Sequence, residues 1–149
     1  MAVFRFRLAQ LLRLRQAIED MEKRELQQRI TTLIQAEQAL QQAQARRTAF
    51  IGDTEKEEAL GVEVARLAVL RRWYPVLAEQ EAISQQLAVE AEEAVDQQRE
   101  QVKQAHLETR ILQRLRERLL ADFKVEIERQ EQSELDELAA CSWAREDRS

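Results

Sequence analysis

Apolar residues recur along the first third of the chain at steps of three and four: Phe4, Leu8, Leu11, Leu14, Ile18 and Met21. That spacing places them on one face of a helix. The stripe resumes at Leu26, Ile30, Leu33, Ala36, Leu40, Ala43 and Phe50, displaced by one residue from a strict heptad. A displacement of that kind relaxes supercoiling locally without ending a helix. A second series covers the other half: Val76, Ile83, Leu87, Ala91, Ala94, Gln98, Val102, Ala105, Leu112, Leu115, Leu119, Phe123 and Ile127, closed by Leu135 and Leu138. Its mean spacing is again helical, and neither Gly nor Pro occurs from Val76 onward.

Between the two series lies the chain's only punctuation. Gly52 is suited to a left-handed helix C-cap, and Asp53 or Thr54, with Glu57 three residues beyond Thr54, is suited to cap a new first turn. Gly61 follows, then a short apolar stretch from Val62 to Leu70 that ends at Arg71-Arg72-Trp73-Tyr74-Pro75. Proline costs about 3 kcal/mol inside a helix but little in its first turn. The pattern therefore predicts one coiled-coil domain over 1–149, with a first helix at about 3–51, a turn and short helix at 52–74, a second helix at about 75–141 and a polar tail at 142–149. Either 52–61 or 73–75 reverses the chain. Narrow apolar stripes are stabilised mainly by packing against a neighbour, and a short connection makes that neighbour antiparallel. The expected fold is all-α, an antiparallel two-helix coiled-coil hairpin.

Composition agrees. Ala, Glu, Leu, Arg and Lys fill more than half of the positions, as in long helices and coiled coils, and there are only two glycines, one proline and 5% aromatic residues. The formal net charge of −5 is unevenly spread. Residues 1–18 carry Arg5, Arg7, Arg13 and Arg15 and no acid, whereas 131–137 carry Glu131, Glu134, Asp136 and Glu137 and no base. An antiparallel pair is expected to set these two segments side by side. A nucleic-acid partner is not expected, because only the N-terminal tip is uniformly basic. Cys141 is the single cysteine, which excludes an intramolecular disulfide and points to a reducing compartment. No apolar run approaches the length of a membrane helix. The Arg-rich start runs straight into the first stripe, so it reads as mature protein and not as a targeting segment.

Little in the chain can carry catalysis. His106 is the only histidine, and a Ser, Thr or Cys nucleophile needs a positioned base. Gly52 and Gly61 belong to no phosphate-binding pattern, and no metal-ligand spacing occurs. The expectation is a non-enzyme without cofactor or metal that works by surface recognition. Arg, Trp and Tyr are the residue types of interface hot spots, which singles out Arg71-Arg72-Trp73-Tyr74 with Leu77. Trp73 either anchors a partner or closes the apolar end of the hairpin. The arginine-rich tip meets either an acidic partner or the chain's own acidic end.

The opening Phe4-Arg5-Phe6-Arg7-Leu8, with Leu11-Leu12-Arg13-Leu14-Arg15 and Glu25-Leu26, resembles the flagellar export protein FliJ family, as does the tail Glu131-Gln132-Ser133-Glu134-Leu135-Asp136-Glu137-Leu138-Ala139. The resemblance spans nearly the whole chain. It implies a component of the flagellar type III export apparatus that looks like the stalk of a rotary ATPase. Such a protein binds the hexameric export ATPase, contacts the cytoplasmic region of the membrane export gate and handles export chaperones. It would be cytoplasmic, held at the cytoplasmic face of the inner membrane through these partners. By that resemblance the gate stripe is Trp73, Leu77, Gln80 and Ser84, with Pro75 departing from the family's uninterrupted helix. The ring-facing end would join Leu8, Leu11 and Leu14 to Leu135 and Leu138, with Arg5, Arg7 and Arg15 beside them. The competing identities are the stalk protein of a virulence type III system and a generic coiled-coil scaffold or membrane-surface adaptor.

Overall fold

The structure, a computed structural model, describes residues 2–148 and consists of two helices, α1 (Ala9–Ala59) and α2 (Val64–Glu146). There is no strand among the described residues. The fold is the all-α two-helix hairpin that the periodicity predicts. The chain divides into two compact units, Met1–Glu19 with Gln104–Ser149 (the terminal unit) and Asp20–Lys103 (the turn unit). In each, the α1 and α2 segments run antiparallel. Phe4–Phe123, Arg15–Glu108 and Glu19–His106 mark the pairing in the terminal unit. Glu22–Gln98, Arg29–Ala94 and Arg47–Glu81 mark it in the turn unit.

The helix limits differ from those expected, and each difference has a local cause. The first helix begins at Ala9 because Phe4 and Phe6 are used in packing: the Phe4 ring lies 5.6 Å from that of Phe123, and Phe6 is buried. The Phe6 carbonyl then accepts the Ala9 N–H at 3.1 Å. Gly52 does not cap α1; the helix runs through it, and Thr54 donates its hydroxyl back to the Phe50 carbonyl at 2.8 Å instead of capping a new helix.

The reversal falls at Gly61, which adopts φ 77°. The Val62 N–H reaches the Glu57 carbonyl at 3.4 Å and the Gly61 N–H the Glu58 carbonyl at 3.2 Å. Those two bonds are the paired closure of a Schellman motif, which satisfies the last carbonyls of a helix and favours Gly at the left-handed position. Glu63 then opens α2, its carbonyl accepting from Arg66 and Leu67. No separate short helix forms within 52–74, and the second helix starts at Val64, not near residue 75, with Pro75 inside it.

The two glycines therefore predict opposite responses to alanine. Gly61→Ala forces a side chain into a left-handed conformation and should cost about 1–2 kcal/mol. Gly52→Ala meets nothing within 4 Å and should stabilise α1 by about 0.5–1 kcal/mol. Urea unfolding followed by far-UV circular dichroism should move the two midpoints in opposite directions.

In the turn unit the fully buried apolar positions of the seam are small residues. Ala43, Ala88 and Val95 are buried, and Leu26, Ile30, Leu33, Ala36, Leu40 and Phe50 are partly covered, so the second α1 stripe lies where its spacing puts it. A buried polar layer interrupts this seam. Gln98 is 1% exposed, and its amide donates both to the Glu22 carbonyl at 3.0 Å and to the Glu22 carboxylate.

Candidate partner-binding surface

In the terminal unit the first leucine stripe is not the seam. The α1 positions that face α2 are Leu12, Arg15 and Glu19, spaced three and four, and Leu12 and Glu19 are buried. Against them α2 buries Ala105 and Thr109, the latter donating its hydroxyl to the Ala105 carbonyl at 3.0 Å. Arg15 Nη1 donates to Glu108 Oε2 at 2.5 Å, and His106 Nδ1 lies 2.9 Å from Glu19 Oε1. Polar groups that find partners across the interface thus occupy the positions that the leucines were expected to fill. Leu8 and Leu14 are exposed, and Leu11 is 38% exposed. Arg5 and Arg7 are exposed on the segment that precedes α1.

The register also corrects the expected charge pairing. With Phe4 level with Phe123 and Arg15 level with Glu108, the basic segment 5–15 lies along 108–123. It does not lie beside 131–137. The facing stretch of α2 is itself rich in arginine: Arg110, Arg114, Arg116 and Arg118. Helix α2 outruns the N-terminal segment. Ala2 still lines a shallow hollow with Ile127, Gln130, Glu131 and Glu134, but every residue from Glu131 to Arg148 is exposed. Leu135 and Leu138 therefore do not join Leu8, Leu11 and Leu14. They begin twelve residues beyond Phe123, about 18 Å further along the helix.

In the turn unit, Trp73 is 56% exposed. Leu77 and Ser84 are half-covered and Gln80 is exposed. All four lie on one continuous helix, because Pro75 does not interrupt α2 as the sequence had suggested. At steps of four, three and four they share a face. Gln80 and Ser84 line a shallow hollow with Ile83 and, from α1, Ala39, Gln42, Ala43 and Arg46.

The residue that organises this region is Arg47, which sequence reasoning did not single out. Its Nη1 donates to Glu81 Oε2 and its Nη2 to the Tyr74 hydroxyl, each at 2.9 Å. The guanidinium carbon also sits 5.5 Å from the Tyr74 ring centroid. Its hydrogen bonds to Glu81 and then to Tyr74 hold the guanidinium still more firmly protonated than usual. Tyr74 and Arg71 line a second hollow with Phe50, Ile51, Thr54 and Glu58, and Arg71 Nη2 pairs with Glu58 at 3.3 Å. Thus Tyr74 meets Arg47 across the seam while staying 39% exposed, and its neighbour Trp73 is more exposed still. No sequence signal marked Arg47; its importance comes from lying across the seam from Tyr74 and Glu81.

No group of three His, Cys, Asp or Glu side chains among the described residues is arranged to hold a metal ion. No helix among them is long and apolar enough to cross a membrane. Comparison with known proteins gives one family: the model of the flagellar FliJ protein family matches residues 4–148. No curated protein and no solved structure matches the chain.

Proposed function

Because the chain belongs to the FliJ family, a component of the flagellar protein-export apparatus, we propose that it serves there as a non-catalytic, stalk-like coiled coil. In this reading it binds the hexameric export ATPase, links that ring to the cytoplasmic region of the export gate and handles export chaperones at the cytoplasmic face of the inner membrane. The observation that carries the reading is the extent of the family match, residues 4–148, over a chain built of two paired helices.

The ring contact is drawn from the terminal unit: Leu8, Leu11 and Leu14 with Arg5, Arg7 and Arg15, and separately Leu135 and Leu138 on the α2 extension. The gate contact is Trp73, Leu77, Gln80 and Ser84. Exposure of Leu11 with Leu14, and of Leu135 with Leu138, supports the ring assignment, and exposure of Trp73 supports the gate assignment.

The test is a pull-down and ATPase assay with the purified export ATPase. Leu11→Asp should lower ring binding about tenfold or more while leaving the unfolding free energy within about 0.5 kcal/mol of wild type, as for a surface substitution. Trp73→Ala should reduce affinity for the gate's cytoplasmic region with helix content unchanged. Wild-type binding by both variants would remove these residues from the proposed contacts, and no ATPase binding by the unmodified chain would end the stalk reading.

A further inference from the structure

The turn unit carries a second apolar stripe that α1 does not cover. On α2, Val69, Trp73, Val76, Gln80, Ile83 and Leu87 recur at steps of four, three, four, three and four. At about 100° per residue they fall within an arc of about 80°, centred about 100° round the helix from buried Ala88. All six are exposed, and Val69, Trp73, Ile83 and Leu87 by more than half. Alternating steps of three and four over this length, about 27 Å of helix, are the a and d positions of a coiled coil. Packing against α1 uses a different set, Ser84 and Ala88 among them, so this stripe is left open for another helix.

Its two ends carry opposite charges. A step of three before Val69 stands Arg66, and a step of three after Leu87 stands Glu90, both exposed. A parallel copy of the same stripe would set Arg66 against Arg66 and Glu90 against Glu90. An antiparallel copy sets Arg66 against Glu90 at each end of the contact.

We infer that a second copy of this chain covers the stripe, the two α2 helices packing antiparallel about a two-fold axis at the level of residue 78. Residues whose numbers sum to 156 then share a layer: Val69 with the partner's Leu87, Trp73 with the partner's Ile83 and Val76 with the partner's Gln80, closed by Arg66 with the partner's Glu90. The two central layers bring both Gln80 amides beside the axis. An amide both donates and accepts, so each can bond the other, and a polar pair within an apolar seam fixes its register. Glu79 approaches its own copy next to the axis, but the partner's Arg72 lies only about 8 Å further along, and exposed like charges cost little in water. The contact is isologous, the commonest closed symmetry of homo-oligomers. The match between the stripe's own two ends selects a second copy over an unrelated amphipathic helix. The inference goes beyond the export reading and does not rest on it. It buries Trp73 and Gln80, so a dimer and a gate-bound chain exclude one another.

The full chain provides the test. Wild type should sediment as a reversible dimer. Ile83→Asp, outside the proposed gate contact, should weaken dimerisation about a hundredfold or more by burying two carboxylates in one interface, with helix content unchanged. Arg66→Glu and Glu90→Arg should each weaken it about tenfold, since each turns two attractions into repulsions, and the double variant should recover wild-type affinity. Register is read by disulfides in a Cys141→Ser chain that carries Val69→Cys and Leu87→Cys. Those positions lie about 27 Å apart on one helix, too far to bridge within a chain. Oxidation should give a covalent dimer joined 69 to 87, read by peptide mapping. A dominant crosslink joining 69 to 69, or a double charge variant no better than either single one, would overturn the proposal. So would a wild type that is monomeric at every concentration, and loss of gate binding in Ile83→Asp alongside it would give the stripe to that partner instead.

Discussion

A Val95→Asp chain is expected to lose about 4 kcal/mol or more of unfolding free energy, the largest single effect in the turn unit. Val95 is 1% exposed and lies between Ala88 and Gln98 on the α2 face that meets α1. Removing its burial costs about 1.5–3 kcal/mol, and placing an unpaired carboxylate there costs several more. The nearest cation along α1, Arg29, is already engaged with Glu25 at 3.1 Å and with the Ala94 carbonyl at 3.1 Å. Urea unfolding of Val95→Asp beside Val95→Ala separates the two terms: the alanine chain should lose only about 2 kcal/mol. Similar midpoints for both variants would show that water already reaches this seam.

Pro75→Ala should act in the opposite direction and stabilise the chain by about 2–3 kcal/mol. Proline inside a helix removes one hydrogen bond and presses on the carbonyl four residues earlier, here that of Arg71. The helix nevertheless passes through residue 75. The turn before it is held from outside, since Arg47 bonds and covers Tyr74, and Arg71 is paired with Glu58. Alanine would supply the missing donor without disturbing those contacts. The variant should unfold at higher urea, and amide exchange from residue 64 to 79 should slow. An unchanged midpoint would mean that the helix at Pro75 already recovers its lost bond through solvent.

These two sites also show what the sequence could and could not convey. The helical class and the covered stripe from Leu26 to Phe50 follow from spacing, and the antiparallel pairing from the short connection between the two series, because one period and few turn residues leave little choice. The place of reversal did not follow. Gly52, Gly61 and Pro75 each carry a plausible break, and what separates them is which carbonyls find donors: the Schellman bonds at Gly61 satisfy the end of α1, while Tyr74 and Arg71 are braced enough for Pro75 to be tolerated.

The phase of the seam near the N-terminus was equally hidden. Leu8, Leu11 and Leu14 form the more apolar stripe, yet Arg15 and Glu19 face the partner helix because Glu108 and His106 are there to receive them. Such pairing depends on register, which a single stripe does not contain. For the candidate surface, Trp73 stood out as a hot-spot residue type and the tail leucines through the family resemblance, but the separation of Leu135 and Leu138 from Leu11 and Leu14 depends on how far α2 outruns its partner.

The Gln98–Glu22 layer has a mechanical consequence. If α2 slid by one heptad toward the turn, the Gln98 amide would leave a carboxylate and meet Arg29, a side chain that only donates. The amide would have to turn over and offer its oxygen to that arginine, giving up both bonds to Glu22, so the layer favours the native offset. Within the turn unit this contact acts as a key, holding one offset of α1 against α2 so that a push on either helix there is resisted by the other.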